Sequence, residues 1–430
     1  MTPAHSTYRV PSAARLGVWI ASLALVLSTV AFASGTESGS DWPQFRGIER
    51  NGISPETGLL DSWPDSGPPE VWRRELGEGY SGITVVGNKV YTMYADEVAG
   101  EGGEAEAREF AASFDRNTGE EHWRVDMGAK LDTEFGNGPR STPTVAGDTV
   151  FVLGSHGRLA ALSTEDGGVK WQKEFTADFG AERPYWGFST SALVDGGRLI
   201  IEAGGSDGRT LVALNPADGE LIWSLGESGA GYNSPLRVDR NGEIRYVHVS
   251  GGKLFCVDTD GNEVWSHEWP QGETHAMPIL AGPGLIYASG AEGVGAQLVK
   301  VAEDESEVEK VWDNRLLRNH FSSAVVQDGV IYGFDNATLK AVSVEDSSLI
   351  WAKRGLGKGS LMLADGHLIV LSDRGKLVLV ATGTDKYSEI SSFQAMNDLS
   401  WTAPTVSHGR LFIRNHQEMV SFDLRQKGDS

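Results

Sequence analysis

Seven tryptophans recur down the chain about every 40–50 residues: Trp72, Trp123, Trp171, Trp223, Trp265, Trp312 and Trp351. Each closes a segment of short alternating apolar and polar runs separated by turn residues, which is the pattern of strands and not of helices. A small residue or a proline opens the segment, as in "STPTVAGDTVFVLG" at 141–154. An Asp-Gly-type hairpin precedes the tryptophan, as in "NPADGELIW" at 215–223 and "DTDGNEVW" at 258–265. These turns need positive φ, which Gly and Asp adopt most readily. Four strands per repeat at this period specify an all-β chain, a β-propeller with one blade per repeat.

The units fall at 80–128, 140–175, 188–226, 233–269, 275–315, 320–355 and 358–396, and a truncated one at 400–424 stops before its tryptophan. "EVWRREL" at 70–76 is a lone strand carrying Trp72, with no unit of its own. It supplies the fourth strand of the last unit. The reading is an eight-bladed ring zipped shut by its two ends, which leaves no sheet edge open. A seven-bladed ring is the alternative if one unit is degenerate. The seventh unit has Phe393 where tryptophan falls elsewhere, so a weaker blade contact is expected there. The seven recurring tryptophans are structural wedges, each packing on the next blade and covering about 150–250 Å².

Residues 1–33 read as an export leader. Arg9 and Arg15 precede an uncharged, largely apolar stretch at 16–33 that ends in Ala31-Phe32-Ala33, a small-x-small cleavage pattern near Ala33/Ser34. The expected location is periplasmic or secreted, with no transmembrane segment after cleavage and a membrane anchor if the leader stays. Residues 34–69 form an irregular arm rich in Gly, Ser, Pro and Asp, and 70–430 the propeller. "ADEVAGEGGEAEAR" at 95–108 interrupts the first unit and reads as a flexible acidic loop.

A formal net charge of −22 argues against nucleic acid and anionic membrane surfaces as partners. The chain is expected to act as a monomer. Cys256 is the only cysteine, so no internal disulfide forms, and its strand context suits a small buried hydrophobe.

The repeat "S-x-P-x-V-x-G-x-x-V-(Y/F) … L-x-A-L … D-G-x-x-x-W" resembles the PQQ-like propeller repeat, named for pyrroloquinoline quinone. "DWPQFRG" at 41–47 followed by "NGIS" at 51–54 looks like the opening of a group of exported bacterial proteins with that repeat. The resemblance covers about 41–424 and implies the propeller fold. It also implies two activities: PQQ-dependent dehydrogenase chemistry with Ca²⁺, or a cofactor-free role like that of the outer-membrane assembly lipoprotein BamB. The chain departs from both. It lacks the adjacent cysteine pair of the dehydrogenases, and their Glu, Asn and Asp set around Ca²⁺ and catalytic Asp find no match. It also lacks the N-terminal lipidated cysteine of BamB.

In a propeller, the residues just before each innermost strand crowd one rim of the central channel. Those positions are Tyr80, Arg140, Tyr185, Trp186, Tyr232, Asn233, His275, Asn319, His320, Lys358 and Trp401. They are aromatic, cationic or amide side chains in an acidic protein. Rings suit a planar ligand or a sugar, and Arg140 with Lys358 suits carboxylates. Trp186 and Trp401 stand outside the tryptophan period. No catalytic residue and no metal set is assigned, since His275 and His320 alone make a poor metal site. "GGSDG" at 204–208 lies between strands, not at the strand-to-helix turn that a nucleophilic Ser206 would need. Asp115, Asp218 and Asp258 recur in the hairpin turn before the tryptophan, as turn makers do. The expected function is a non-catalytic binding or scaffold propeller that presents its channel face to a protein, saccharide or quinone-like ligand. A PQQ-dependent oxidoreductase and a BamB-like assembly factor are the alternatives.

Overall fold

The computed structural model describes residues 39–100, 104–291 and 293–426, so the leader at 1–33 lies outside it. Eight sheets, each built on four antiparallel strands, follow one another along the chain. Blades 1 to 7 span 84–129, 144–174, 193–225, 236–268, 279–314, 325–354 and 360–394. Blade 8 takes Thr405–Ser407, Arg410–Arg414 and Glu418–Asp423 from the C-terminus and Glu70–Glu75 from the N-terminus. In that seam Arg73 pairs with Val420 and Arg74 with Met419. The blade count is eight, not seven.

The tryptophans act as wedges with a polar end. The indole N–H of Trp72 donates to the carbonyl of Arg116 in the next blade at 2.8 Å. Trp171 reaches Pro216 at 2.9 Å, Trp223 reaches Thr259 at 3.0 Å and Trp312 reaches Val344 at 2.8 Å. Each of these acceptors lies in the turn before the next blade's outer strand. The turn glycine there meets the ring face: Gly119 on Trp72, Gly167 on Trp123, Gly219 on Trp171 and Gly261 on Trp223. The D-G-x-x-x-W repeat therefore encodes both partners of one contact, a turn in one blade and the wedge received by the blade after it.

Blade 7 solves its missing tryptophan differently. Gly67, in the turn before Glu70–Glu75, lies against Phe393, and Trp63 packs edge-on to the same ring at 6.0 Å. Residues 63–72 thus repeat the turn-and-wedge pattern of the other blades, offered from the N-terminus. Inner strands are tied by hydroxyls. Thr84 Oγ1 donates to Pro143 O at 2.6 Å, Thr144 Oγ1 to Ala192 O at 2.7 Å and Thr405 Oγ1 to Ile83 O at 2.9 Å. This explains the small hydroxyl residues at the start of these repeats.

Blades 8 and 1 are further joined by Arg414, which is fully buried. Its guanidinium donates to Thr92 Oγ1 and to the carbonyls of Gly77 and Gly79, each at 3.1 Å. Burial lowers its pKa to about 9, which still leaves it charged at neutral pH.

Residues 95–108 differ from the expected loop. Strands Lys89–Ala99 and Ala105–Asp115 run on past the usual blade length and stay in register from Lys89–Asp115 to Ala99–Ala105. Arg108 grips Asp126 on the fourth strand through bonds of 2.9 and 3.0 Å. Alanines alternating with charged residues, and a cross-strand ion pair, carry 95–99 and 105–108 as paired strands.

The arm is less irregular than its composition suggests, and it belongs to the same compact unit as the blades. Trp42 exchanges backbone hydrogen bonds with Val85 of blade 1, and Pro43 O accepts from Val145 N of blade 2 at 2.8 Å. Arg50 donates to Ser191 O and Ala192 O of blade 3 at 3.1 and 2.9 Å. Arg46 donates to Ser323 O of blade 6 at 3.2 Å. Ile53–Ser54 pairs in parallel with Leu363 and Ala364 of blade 7, and Ser407 Oγ of blade 8 donates to Ser40 O at 2.7 Å. The arm therefore crosses the channel and binds the inner strands of six blades.

Candidate functional site

The channel is a funnel with a floor. Trp42, Phe45 and Arg46 of the arm line its closed end, and the residues preceding the inner strands line its mouth. The cavity measures about 430 Å³, within the usual size range of a small-molecule site.

Eight of the eleven residues expected at the mouth line this one cavity: Tyr80, Arg140, Trp186, Tyr232, His275, His320, Lys358 and Trp401. Three do not. Tyr185 is 64% exposed and stands outside the lining, edge-on to Trp186. Asn233 turns into its blade and donates to Val249 O at 2.7 Å. Asn319 is fully buried, donating to Phe334 O and accepting from Tyr287 Oη, both at 2.9 Å. All three have a cavity-lining neighbour in sequence, and successive residues of an extended chain point to opposite sides. One member of each pair faces the funnel and the other does not.

The cavity also draws on residues that the repeat did not flag: Phe135, Glu273 and Phe321 at the mouth, and the floor residues of the "DWPQFRG" segment. Glu273 stands two positions before His275, and Phe321 directly after His320. Both signals were present in the sequence.

The mouth rings form a closed circuit. Tyr80 stacks on Trp401 at 5.4 Å, Trp401 meets Phe321 at 4.7 Å, and Phe321 meets His320 edge-on at 5.6 Å. His320 stacks on His275 and His275 on Tyr232, both at 4.9 Å. Tyr232 Oη accepts from the backbone N–H of Trp186 at 3.4 Å, and Trp186 meets Phe135 at 4.9 Å. Tyr80 Oη closes the loop by donating to Phe135 O at 2.9 Å. Such a circuit holds flat apolar faces around an opening without the entropy of loose side chains.

The charge inside is positive. Arg140 lies over the Tyr80 ring at 5.3 Å and is held by Gly136 O at 2.9 Å and Gly138 O at 2.8 Å. Among the described residues no carboxylate lies within ion-pair distance of Arg140 or of Lys358. Burial, then His320, Arg140 and Lys358, lower the His275 pKa to about 3, so its imidazole is neutral. Burial pushes the Tyr80 hydroxyl up to about 12. A cavity with two cations that lack a carboxylate partner among the described residues, set in aromatic walls, favours an anionic, ring-bearing guest.

The quinone chemistry implied by the resemblance meets a poor donor set. Calcium takes about six to eight oxygen ligands, and Glu273 is the one carboxylate among the described residues of the lining. Cys256, which would have to stand beside a quinone, is buried inside blade 4, in register with Trp265 of the outer strand. These residues do not fit a Ca²⁺-held quinone.

A floored, eight-bladed ring closed by its own N-terminus defines a propeller of the PQQ-like repeat class. The family model described as outer membrane protein assembly factor BamB matches residues 107–353, and the chain belongs to that family. BamB of Yersinia pestis is 24% identical over 310 residues, spanning 68% of this chain and 75% of that one. The solved structure of BamB from Moraxella catarrhalis superposes with a TM-score of 0.58 at 14% identity, covering 84% of this chain and 100% of the other. Quinohemoprotein alcohol dehydrogenase ADHIIG from Pseudomonas putida HK5 gives 0.65 at 12% identity, over 90% and 81% of the two chains. At these identities the structural likeness is one of fold.

Proposed function

We propose that this chain is an exported, non-catalytic binding propeller that takes an anionic ring-bearing molecule, an acidic saccharide or an aromatic carboxylate, into the floored funnel. One observation carries the reading: the circuit of rings lines the same cavity as Arg140 and Lys358, neither of which has a carboxylate partner among the described residues. Export rests on the leader pattern at 1–33. Binding would stack the guest on Trp186 or Trp401 and place its carboxylate between the two cations.

The test is titration calorimetry, with tryptophan fluorescence, against uronate oligosaccharides, aromatic carboxylates and pyrroloquinoline quinone. Saturable binding that falls at least about tenfold in Lys358→Met and in Trp401→Ala supports the reading, by the usual worth of a charge-assisted bond. Absence of binding across the panel overturns it. Dye-coupled turnover with the quinone overturns its non-catalytic part.

A second reading follows from the relatives, which are named as outer-membrane protein assembly factors. A propeller of this family could work by holding a protein of the assembly machinery. Stable co-purification of such a partner, undisturbed by the funnel variants, would favour it.

A further inference from the structure

We propose that Glu273, His275 and His320 form a mononuclear site for a borderline transition-metal dication, with Zn²⁺ as its natural occupant, in the wall of the funnel. The donor atoms of the three side chains all lie within 4.8 Å of one another. His275 Nε2 stands 3.7 Å from Glu273 Oε2. Zinc bonds of about 2.0–2.2 Å at a tetrahedral angle put neighbouring donors roughly 3.3–3.6 Å apart. Side-chain rotations that turn the stacked His275 and His320 rings edge-on to a common point would bring the set to bonding distance.

The backbone beneath the three residues is fixed by bonds that serve nothing else at the mouth. Glu273 O accepts from Ala291 N at 2.9 Å. Thr274, between Glu273 and His275, accepts the indole N–H of Trp269 at 2.9 Å. Asn319, next to His320, is locked on both sides by Phe334 and Tyr287. Ligands anchored in this way approach a preorganised site.

The ligand chemistry selects the ion. Two imidazoles and one carboxylate suit Zn²⁺, Co²⁺ or Ni²⁺ and disfavour Ca²⁺ and Mg²⁺, which prefer oxygen. Three protein ligands leave coordination positions free, and here they face the cavity. The site deepens the binding reading: a guest carboxylate could bridge the ion and Lys358. That would offset the repulsion between the ion and the funnel's own cations, so anion and metal should bind cooperatively.

The experiment uses the full exported chain, stripped with a chelator and titrated with Zn²⁺ by calorimetry and with Co²⁺ by visible absorption. One equivalent is expected, together with the strong d–d bands of a four- or five-coordinate Co²⁺ ion that retains imidazole ligands. Glu273→Gln should weaken binding about 10- to 100-fold, and His320→Asn by at least about 100-fold. Circular dichroism of His320→Asn, a change at a half-buried position, guards against misfolding. No binding by the wild type, or binding unchanged in His320→Asn, overturns the proposal. Organic-ligand titrations in chelator separate the two ideas: guest binding without metal binding sinks the metal site alone, and metal binding without any guest sinks the guest reading alone.

Discussion

Gly219 lies flat on the indole of Trp171, close enough that a β-carbon added there would meet the ring at 2.8 Å. Its φ of 74° is also one that side chains resist. Gly219→Ala should therefore cost about 2–4 kcal/mol, from a strained backbone and an overpacked wedge together. Trp171→Ala removes the clash, so the double variant should lose less than the sum of the two single losses. Urea denaturation of the four proteins measures the coupling, and strict additivity would refute the contact.

Arg414 closes the ring through carbonyls instead of a carboxylate. Arg414→Leu leaves those acceptors unsatisfied at about 1–3 kcal/mol each, so a loss of several kcal/mol is expected, concentrated at the seam of blades 8 and 1. Hydrogen exchange should show the amides of Glu70–Glu75 and Glu418–Asp423 opening ahead of blades 3 to 5. Uniform exchange across all blades would contradict it.

Acid should destabilise the protein through its buried imidazoles. Burial holds His275 at about 3 and His416 at about 4. An unfolded histidine titrates near about 6.5, so below that pH the unfolded chain binds protons that the folded one refuses. The contribution is complete above about 6.5 and is lost as pH falls toward the folded values. For His275 the loss approaches about 3 kcal/mol by about pH 4, and for the more exposed His416 it is smaller. In chelator, His275→Gln should flatten the denaturation midpoint against pH over this window. An unchanged slope would show that His275 charges freely in the folded state.

Cys256 is 1% exposed, and burial, followed by the nearby Glu305, pushes its thiol pKa up. Thiolate is the reactive form. A disulfide exchange reagent at mildly alkaline pH should leave the native protein unmodified and label it completely in guanidinium. Rapid labelling of the folded protein would mean that blade 4 opens.

The blades were legible because each tryptophan is used once per blade, and Trp72 stood out as a wedge without a unit. Half of each mouth pair could not be assigned, since Tyr232 and Asn233 differ only in which side of the strand they face. Phe135 escaped because it sits in a loop off the repeat's spacing. The arm's role was invisible for a deeper reason. Arg46 and Arg50 act on backbone carbonyls of blades 6 and 3, and a carbonyl has no signature in a sequence.

The seam between Glu70–Glu75 and Glu418–Asp423 sets the order of assembly. Synthesis proceeds from the N-terminus, so the strand made first waits for the strand made last. Until residues near 418–423 emerge, blade 8 does not exist, Arg414 has not reached its acceptors, and the arm cannot bind all six blades that hold it. Until the seam forms, the strands that meet there, Glu70–Glu75 and Glu418–Asp423, are unpaired edges to be guarded. A premature stop anywhere upstream of the last blade removes the closure itself, and with it both the floor and the mouth of the funnel.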